Sequence, residues 1–110
     1  MIKVKNGTLE FKNKEEVELY LELGNQILKR DKNIEETYIR ATLNAILEKD
    51  SRDRFAKYML NNGWDYICHS ITKNETVFII CNTDIELKKW MNETEDRNKW
   101  TVCINPRLNN

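Results

Sequence analysis

The stretch Val77-Phe78-Ile79-Ile80-Cys81 carries apolar side chains at five successive positions. Neighbouring side chains of a β-strand point to opposite faces, so a strand with this pattern has to be covered on both sides. The segment from Trp64 to Thr72 is also rich in β-branched and aromatic residues, and Lys73-Asn74-Glu75 separates the two. We therefore predict a hairpin over residues 64–82 whose second strand is the centre of the fold.

Capping boxes mark three helix starts, because a polar side chain and a Glu three residues later can satisfy backbone N–H groups there. The three boxes are Asn13 with Glu16, Asn33 with Glu36, and Thr83 with Glu86. Apolar residues at helical spacing follow each box. The predicted helices run from Lys14 to about Arg30, from the second box to about Leu47, from Ser51 as cap to the stop signal Asn61-Asn62-Gly63, and from the third box to about Met91. The second and third are alternatively one bent helix.

Strand patterns also occur near both ends of the sequence. Asn6-Gly7 suits a type I′ turn, and the flanking segments 2–4 and 8–11 predict an N-terminal hairpin. Apolar and polar residues alternate from Trp100 to Ile104, which predicts a last strand ending at Pro106. The element order fits a β-α-β-β-α-β plan with an enlarged first helical region. We predict one α+β domain over residues 1–110, in which a small, mostly antiparallel sheet packs with three to four helices.

Composition narrows the class of function. The chain has 110 residues, with 18 basic and 18 acidic side chains spread evenly, which lowers the expectation of nonspecific binding to nucleic acid or membrane. No apolar run reaches the length of a membrane span or signal peptide, and three cysteines fit a reducing compartment, so we predict a cytoplasmic protein. An Asn-, Lys- and Ile-rich composition indicates an AT-rich coding genome, such as that of a low-GC bacterium, its phages or plasmids.

The cysteines and the histidine give little support for a catalytic site or a metal site. Cys68 and His69 are neighbours on a strand and point to opposite faces, so they cannot form a dyad. In the regular hairpin register Cys68 faces Cys81 and His69 faces Ile80; only a one-residue change of the turn brings Cys81 diagonal to His69. Zinc would need a fourth ligand beside these two cysteines and Cys103, and no glycine-rich phosphate loop occurs. We predict no catalytic residues, metal or cofactor, and keep a thiol-dependent enzyme as the second alternative.

A basic set supports the first alternative, a DNA-binding transcriptional regulator. Arg52, Arg54 and Lys57 lie in the third predicted helix, and Lys73 lies at the tip of the hairpin that follows. Two helices and a hairpin over residues 34–82 resemble a winged helix, in which one helix enters the major groove and the wing touches the phosphate backbone.

Two acidic sets support the preferred interpretation. Glu15, Glu18 and Glu22 recur at spacings of three and four, which places them along one side of the first helix. Glu93, Glu95 and Asp96 lie in a predicted loop. We predict a non-enzymatic protein, monomer or homodimer, that binds another protein through this acidic surface. Small size and composition favour an inhibitor or regulator encoded by a phage or mobile element and directed at a host protein, including a nucleic-acid-handling defence protein.

Overall fold

The computed structural model describes residues 2–3, 10–11, 13–28 and 38–109. The elements formed by these residues are β1 (Ile2–Lys3), β2 (Glu10–Phe11), α1 (Lys14–Leu28), β3 (Ile39–Leu43), α2 (Lys49–Asn61), β4 (Tyr66–Thr72), β5 (Glu75–Cys81), α3 (Asp84–Glu93) and β6 (Thr101–Ile104). Short 3-10 helices lie at Arg97–Lys99, between α3 and β6, and at Pro106–Asn109, after β6. Among the described helices, none is long and apolar enough to cross a membrane.

The main sheet is antiparallel, with the strand order β3-β5-β4-β6. β5 lies inside this sheet, and its side chains from Thr76 to Cys81 are buried on both faces. The prediction from the apolar run is therefore confirmed. From β3 to β6 the elements follow β-α-β-β-α-β, and the chain is a compact α+β domain of three helices and a four-stranded sheet.

Two apolar clusters cover the two faces of the sheet. On one face Phe78 and Ile80 of β5 pack in a cluster with residues of α1 and α2, including Leu23 and Phe55. On the other face a second cluster joins the alternate residues of β5 to α3. Its buried members are Cys68, Val77, Ile79, Cys81, Leu87 and Trp90. The domain thus has helices on both sides of the sheet, as a strand without a polar face requires.

A strand replaces the second predicted helix. Ile39, Ala41 and Leu43 are buried and Arg40 is exposed, which is the alternation of a strand. β3 pairs with β5 over its whole length, from Ile39 opposite Ile80 to Leu43 opposite Thr76. The helix prediction was wrong, as was the bent-helix alternative, because a short apolar segment fits both periods and the open edge of β5 favours the strand. The Asn33 and Glu36 capping box lies outside the described residues.

The ends of the remaining helices follow the predictions in part. Asn13 accepts a hydrogen bond from the Glu16 N–H at 2.9 Å, and Thr83 forms the complete capping box with Glu86 at the start of α3. Ser51 does not cap α2, since that helix begins at Lys49 and Ser51 is buried within it. α2 ends at Asn61, and Gly63 has φ 100°, the conformation for which glycine stops a helix.

The strands of both predicted hairpins pair antiparallel, and the turn of the second sets its register. In the first, Ile2 pairs with Phe11, and the predicted Asn6-Gly7 turn lies outside the described residues. In the second, Lys73 and Asn74 have φ 50° and 65°, the positive angles of a two-residue type I′ turn. Cys68 therefore faces Ile79 and His69 faces Phe78. The predicted register was wrong, because the turn centres one residue earlier.

Candidate functional site

The acidic residues of α1 form an exposed stripe. α1 buries Tyr20 and Leu23 against the sheet, and Glu15, Glu18 and Glu22 are exposed. The spacings of three and four residues keep the three carboxylates on one side of the helix. Within the described part of the chain, no basic side chain forms an ion pair with any of them. The stripe therefore presents three exposed carboxylates that have no ion-pair partner among the described residues.

Polar contacts on the opposite side hold α1 in place. The Tyr20 hydroxyl donates to the Ser51 carbonyl at 2.7 Å, and the Arg54 guanidinium donates to the buried Glu16 carboxylate at 2.9 Å. Gln26 bonds both backbone groups of Thr42, accepting from the N–H at 3.0 Å and donating to the carbonyl at 2.7 Å. These contacts join α1 to α2 and to β3, so they hold the helix that carries the acidic stripe in a defined position.

The second acidic set lines a cleft of about 460 Å³ on the α3 side of the sheet. The residues that line it are Arg40, Ser70, Ile71, Thr72, Lys73, Trp90, Glu93, Thr94, Glu95, Asp96, Lys99 and Trp100. Three cationic and three anionic side chains stand in this lining, so the cleft has no net charge. Glu93 accepts a hydrogen bond from the Tyr38 hydroxyl at 2.8 Å, which raises the pKa of that phenol. The cleft is dipolar, unlike the stripe on α1.

The structure does not place the two acidic sets on one surface. α1 packs on the face of the sheet that also carries α2, whereas Glu93 ends α3 on the other face. Asp96 also lies 3.8 Å from the ammonium of Lys99, and Lys73 lines the same cleft. The helix stripe is thus the more concentrated source of negative charge.

Two members of the basic set are engaged inside the fold. Arg52 donates to Nδ1 of His69 at 3.1 Å and to the Leu47 carbonyl at 2.6 Å. Arg54 forms ion pairs with Glu16 and Asp50. Only Lys57 and Lys73 of the four are exposed, and they belong to different elements.

The winged-helix arrangement is not formed over residues 38–82. That arrangement needs two helices before the hairpin. Residues 39–43, which were predicted to belong to the first of these helices, form the strand β3 instead. The basic residues also do not gather on a single helix face toward a groove, since Arg52 and Arg54 point to internal partners. DNA binding by this set stays a prediction, without the geometry that suggested it.

A buried polar cluster surrounds His69, whose side chain has no exposed surface. Arg52 always donates, so Nδ1 of His69 is the acceptor, and Nε2 carries the ring hydrogen and donates to Asp53 at 3.0 Å. Burial lowers the pKa of His69 to about 4, although Asp53 raises it. The imidazole is therefore neutral at pH 7 and fixed in one tautomer.

Cys103 lies beside this histidine, with its Sγ 3.9 Å from Nε2. A thiol is activated by a base that can take its proton, but Nε2 already carries hydrogen in this tautomer. Burial raises the pKa of the Cys103 thiol, and it raises the pKa values of Cys68 and Cys81 to about 12. In this arrangement His69 orders the interior and does not generate a thiolate.

Sequence reasoning missed the His69 cluster. Arg52 was predicted only as a member of the DNA-binding set, and Cys103 belongs to a strand 34 residues away from His69. The contacts of these residues with His69 depend on the hairpin register and on the face of the sheet that α2 covers. Neither of these has a local sequence signal. Among the described residues, no group of three potential ligands is arranged to hold a metal ion.

Comparisons with protein-family models, with curated proteins and with solved structures find no match.

Proposed function

We propose that this protein is a non-enzymatic binding module that uses the acidic stripe of α1, formed by Glu15, Glu18 and Glu22, to bind a basic surface of another protein. The observation that carries the proposal is that these three carboxylates are exposed and unpaired in the described part of the chain. The two other described helices form ion pairs between exposed carboxylates and basic residues one turn away, as Asp53 does with Lys49 and Asp84 does with Lys88.

Electrostatics explains what such a stripe does. Charges on one helix side raise the rate of encounter with an oppositely charged surface and exclude partners of like charge. The neighbouring apolar side chain Leu21 is 61% exposed and adds contact area beside the charges. A row of carboxylates on a fixed helix also imitates a phosphate backbone, so a nucleic-acid-binding groove is a suitable target.

The subtype follows from size and composition. A chain of 110 residues with an AT-rich coding bias fits an inhibitor or regulator encoded by a phage or mobile element. Its target in this proposal is a host protein with a basic groove, including a nucleic-acid-handling defence protein. Arg52 and Arg54, engaged internally, give the DNA-binding alternative less support.

The test is affinity capture of the tagged protein from a low-GC bacterial lysate, with and without nuclease. A stoichiometric protein partner that survives nuclease treatment supports the proposal. Co-elution of nucleic acid alone, lost after nuclease treatment, favours the DNA-binding alternative. Loss of DNA binding on neutralising Lys57 and Lys73, the two exposed basic residues, would then replace the present proposal.

A further inference from the structure

The two edges of the sheet differ in how they are closed. At β3 the Gln26 side chain bonds the outward N–H and carbonyl of Thr42, in the way that another strand would. β6 forms the other edge and, among the described strands, pairs only with β4. Open edge strands are templates for pairing with a further strand, and proteins commonly block them with charges, proline or covering segments. Between Thr101 and Ile104, β6 has no charge and no proline, and no segment in the described part of the chain pairs with its outer edge.

The ladder to β4 shows which backbone groups β6 leaves open. Asn105 donates its N–H to the Asp65 carbonyl at 2.9 Å, next to the pair formed by Ile104 and Tyr66. Because successive residues of an antiparallel strand point their N–H and C=O groups to alternate sides, Cys103 also faces β4, whereas Val102 and Ile104 face outward. No described residue bonds these outward groups.

The same two residues have exposed apolar side chains. Val102 is 40% exposed and Ile104 is 44% exposed, both on the α3 side of the sheet next to the half-buried Tyr66. Residues 101–105 carry no charge, and the flanking Arg107 forms an ion pair with Asp65. The outer edge of β6 therefore presents backbone groups available for hydrogen bonding together with exposed apolar side chains.

We propose that β6 pairs antiparallel with β6 of a second copy of this chain, in the register that sets Val102 opposite Ile104 of the second copy. This is the register in which the outward groups of both residues bond in both copies. It also brings each exposed Val102 against an exposed Ile104, and it sets the two Cys103 residues opposite each other on the two-fold axis. The edge is thus self-complementary, which is why a second copy fits it.

The expected dimer is weak. One added strand buries much less than the roughly 1,200 Å² of the smallest stable standard interfaces, so the association depends on protein concentration. The resulting eight-stranded sheet leaves α1 uncovered, because α1 contacts β3 at the opposite edge. This inference is independent of the proposed function and adds a second copy of the acidic stripe to each assembly.

Sedimentation velocity of the whole chain, from micromolar to millimolar concentration, tests the proposal. The first variant is Val102→Pro, which removes an outward N–H and no bond to β4. The second is Val102→Lys, which is expected to weaken dimerisation about tenfold through two unfavourable cross-strand pairs. In the double variant Val102→Lys/Ile104→Glu each new lysine faces a glutamate of the other copy, so dimerisation is expected to return. Ile85→Lys, at an apolar residue 75% exposed elsewhere, is the matched control.

A concentration-dependent dimer that is lost in V102P, weakened about tenfold in V102K, restored in the double variant and kept in I85K supports the proposal. Circular dichroism verifies the fold of each variant. If V102P does not fold, the comparison of V102K with the double variant tests the β6 pairing by itself. A wild-type chain that remains monomeric at millimolar concentration overturns it, leaving the edge to an extended segment of another protein. A dimer that V102K leaves unchanged, or that the double variant fails to restore, overturns it as well.

Discussion

The Nε of Arg52 donates a hydrogen bond to Nδ1 of His69 at 3.1 Å, and this contact fixes the protonation state of the only histidine. A protonated imidazole would carry hydrogen on Nδ1 and oppose the guanidinium. α2 and β4 are thus joined by a bond that exists only while His69 is neutral, with Asp53 accepting from the other nitrogen.

Stability should therefore fall in mild acid. Burial lowers the pKa of His69 to about 4 in the folded chain, from the usual 6.5. The unfolded chain takes up the proton first, so the contribution of His69 is complete above pH 6.5 and is lost as the pH falls toward 4. The total loss from this group is about 3 kcal/mol in the free energy of unfolding. Urea unfolding at a series of pH values measures it.

The control for the pH prediction is His69→Gln, which keeps a polar side chain but does not titrate. Its free energy of unfolding should change much less between pH 6.5 and pH 4 than that of the wild type. Equal slopes in the two proteins would show that other groups cause the acid sensitivity.

The ion pair between Glu16 and Arg54 should stabilise the contact between α1 and α2. The Glu16 side chain is buried and the Arg54 side chain is about one quarter exposed, so removing the glutamate charge leaves a guanidinium with less compensation. Glu16→Gln should lower the free energy of unfolding by about 2 kcal/mol. A double-mutant cycle with Arg54→Met isolates the pair, and a coupling near zero would contradict the assignment.

The Gln26 side chain should protect the β3 edge. Gln26→Ala exposes the backbone groups of Thr42, and it should cost about 1 kcal/mol of stability and increase aggregation on heating. Asn25→Ala, at the exposed preceding position on α1, is the matched control. Thermal unfolding followed by light scattering checks both effects. Identical behaviour of the two variants would mean that the amide does not close this edge.

The three thiols should react in a fixed order. Cys68 and Cys81 have no exposed surface, and burial raises both pKa values to about 12, whereas Cys103 is partly exposed. Alkylation of the folded protein, followed by mass spectrometry, should label Cys103 first and the other two only after unfolding. Rapid labelling of Cys68 or Cys81 at neutral pH would contradict the burial described here and revive the thiol-enzyme alternative.

Patterns that depend on near neighbours predicted the fold well. Val77 to Cys81 is apolar at every position, which identified the central strand, and the pairs Asn13–Glu16 and Thr83–Glu86 marked two helix starts correctly. Residues 39–43 failed because their period is ambiguous at that length and a pairing edge far along the chain selects the strand. The acidic stripe could be predicted from spacing alone.

Contacts between distant segments could not be predicted in this way. The Lys73-Asn74 turn centres one residue earlier than predicted, which moves each cross-strand partner by two residues and places Phe78, not Ile80, opposite His69. The internal engagement of Arg52 depends on that register and on the side of the sheet that α2 covers. A sequence pattern cannot distinguish such an arginine from one that faces solvent, which is why the basic set looked like a binding surface.

The most direct test of the acidic-stripe account is calorimetric titration of the captured protein partner with two triple variants. The first is Glu15→Gln/Glu18→Gln/Glu22→Gln, and the second is Glu93→Gln/Glu95→Gln/Asp96→Asn, which removes the same formal charge from the other face of the sheet. We expect the first variant to weaken binding about thirtyfold, or about 2 kcal/mol, with a reduced dependence on salt, and the second to retain wild-type affinity. Wild-type affinity in the first variant would contradict it.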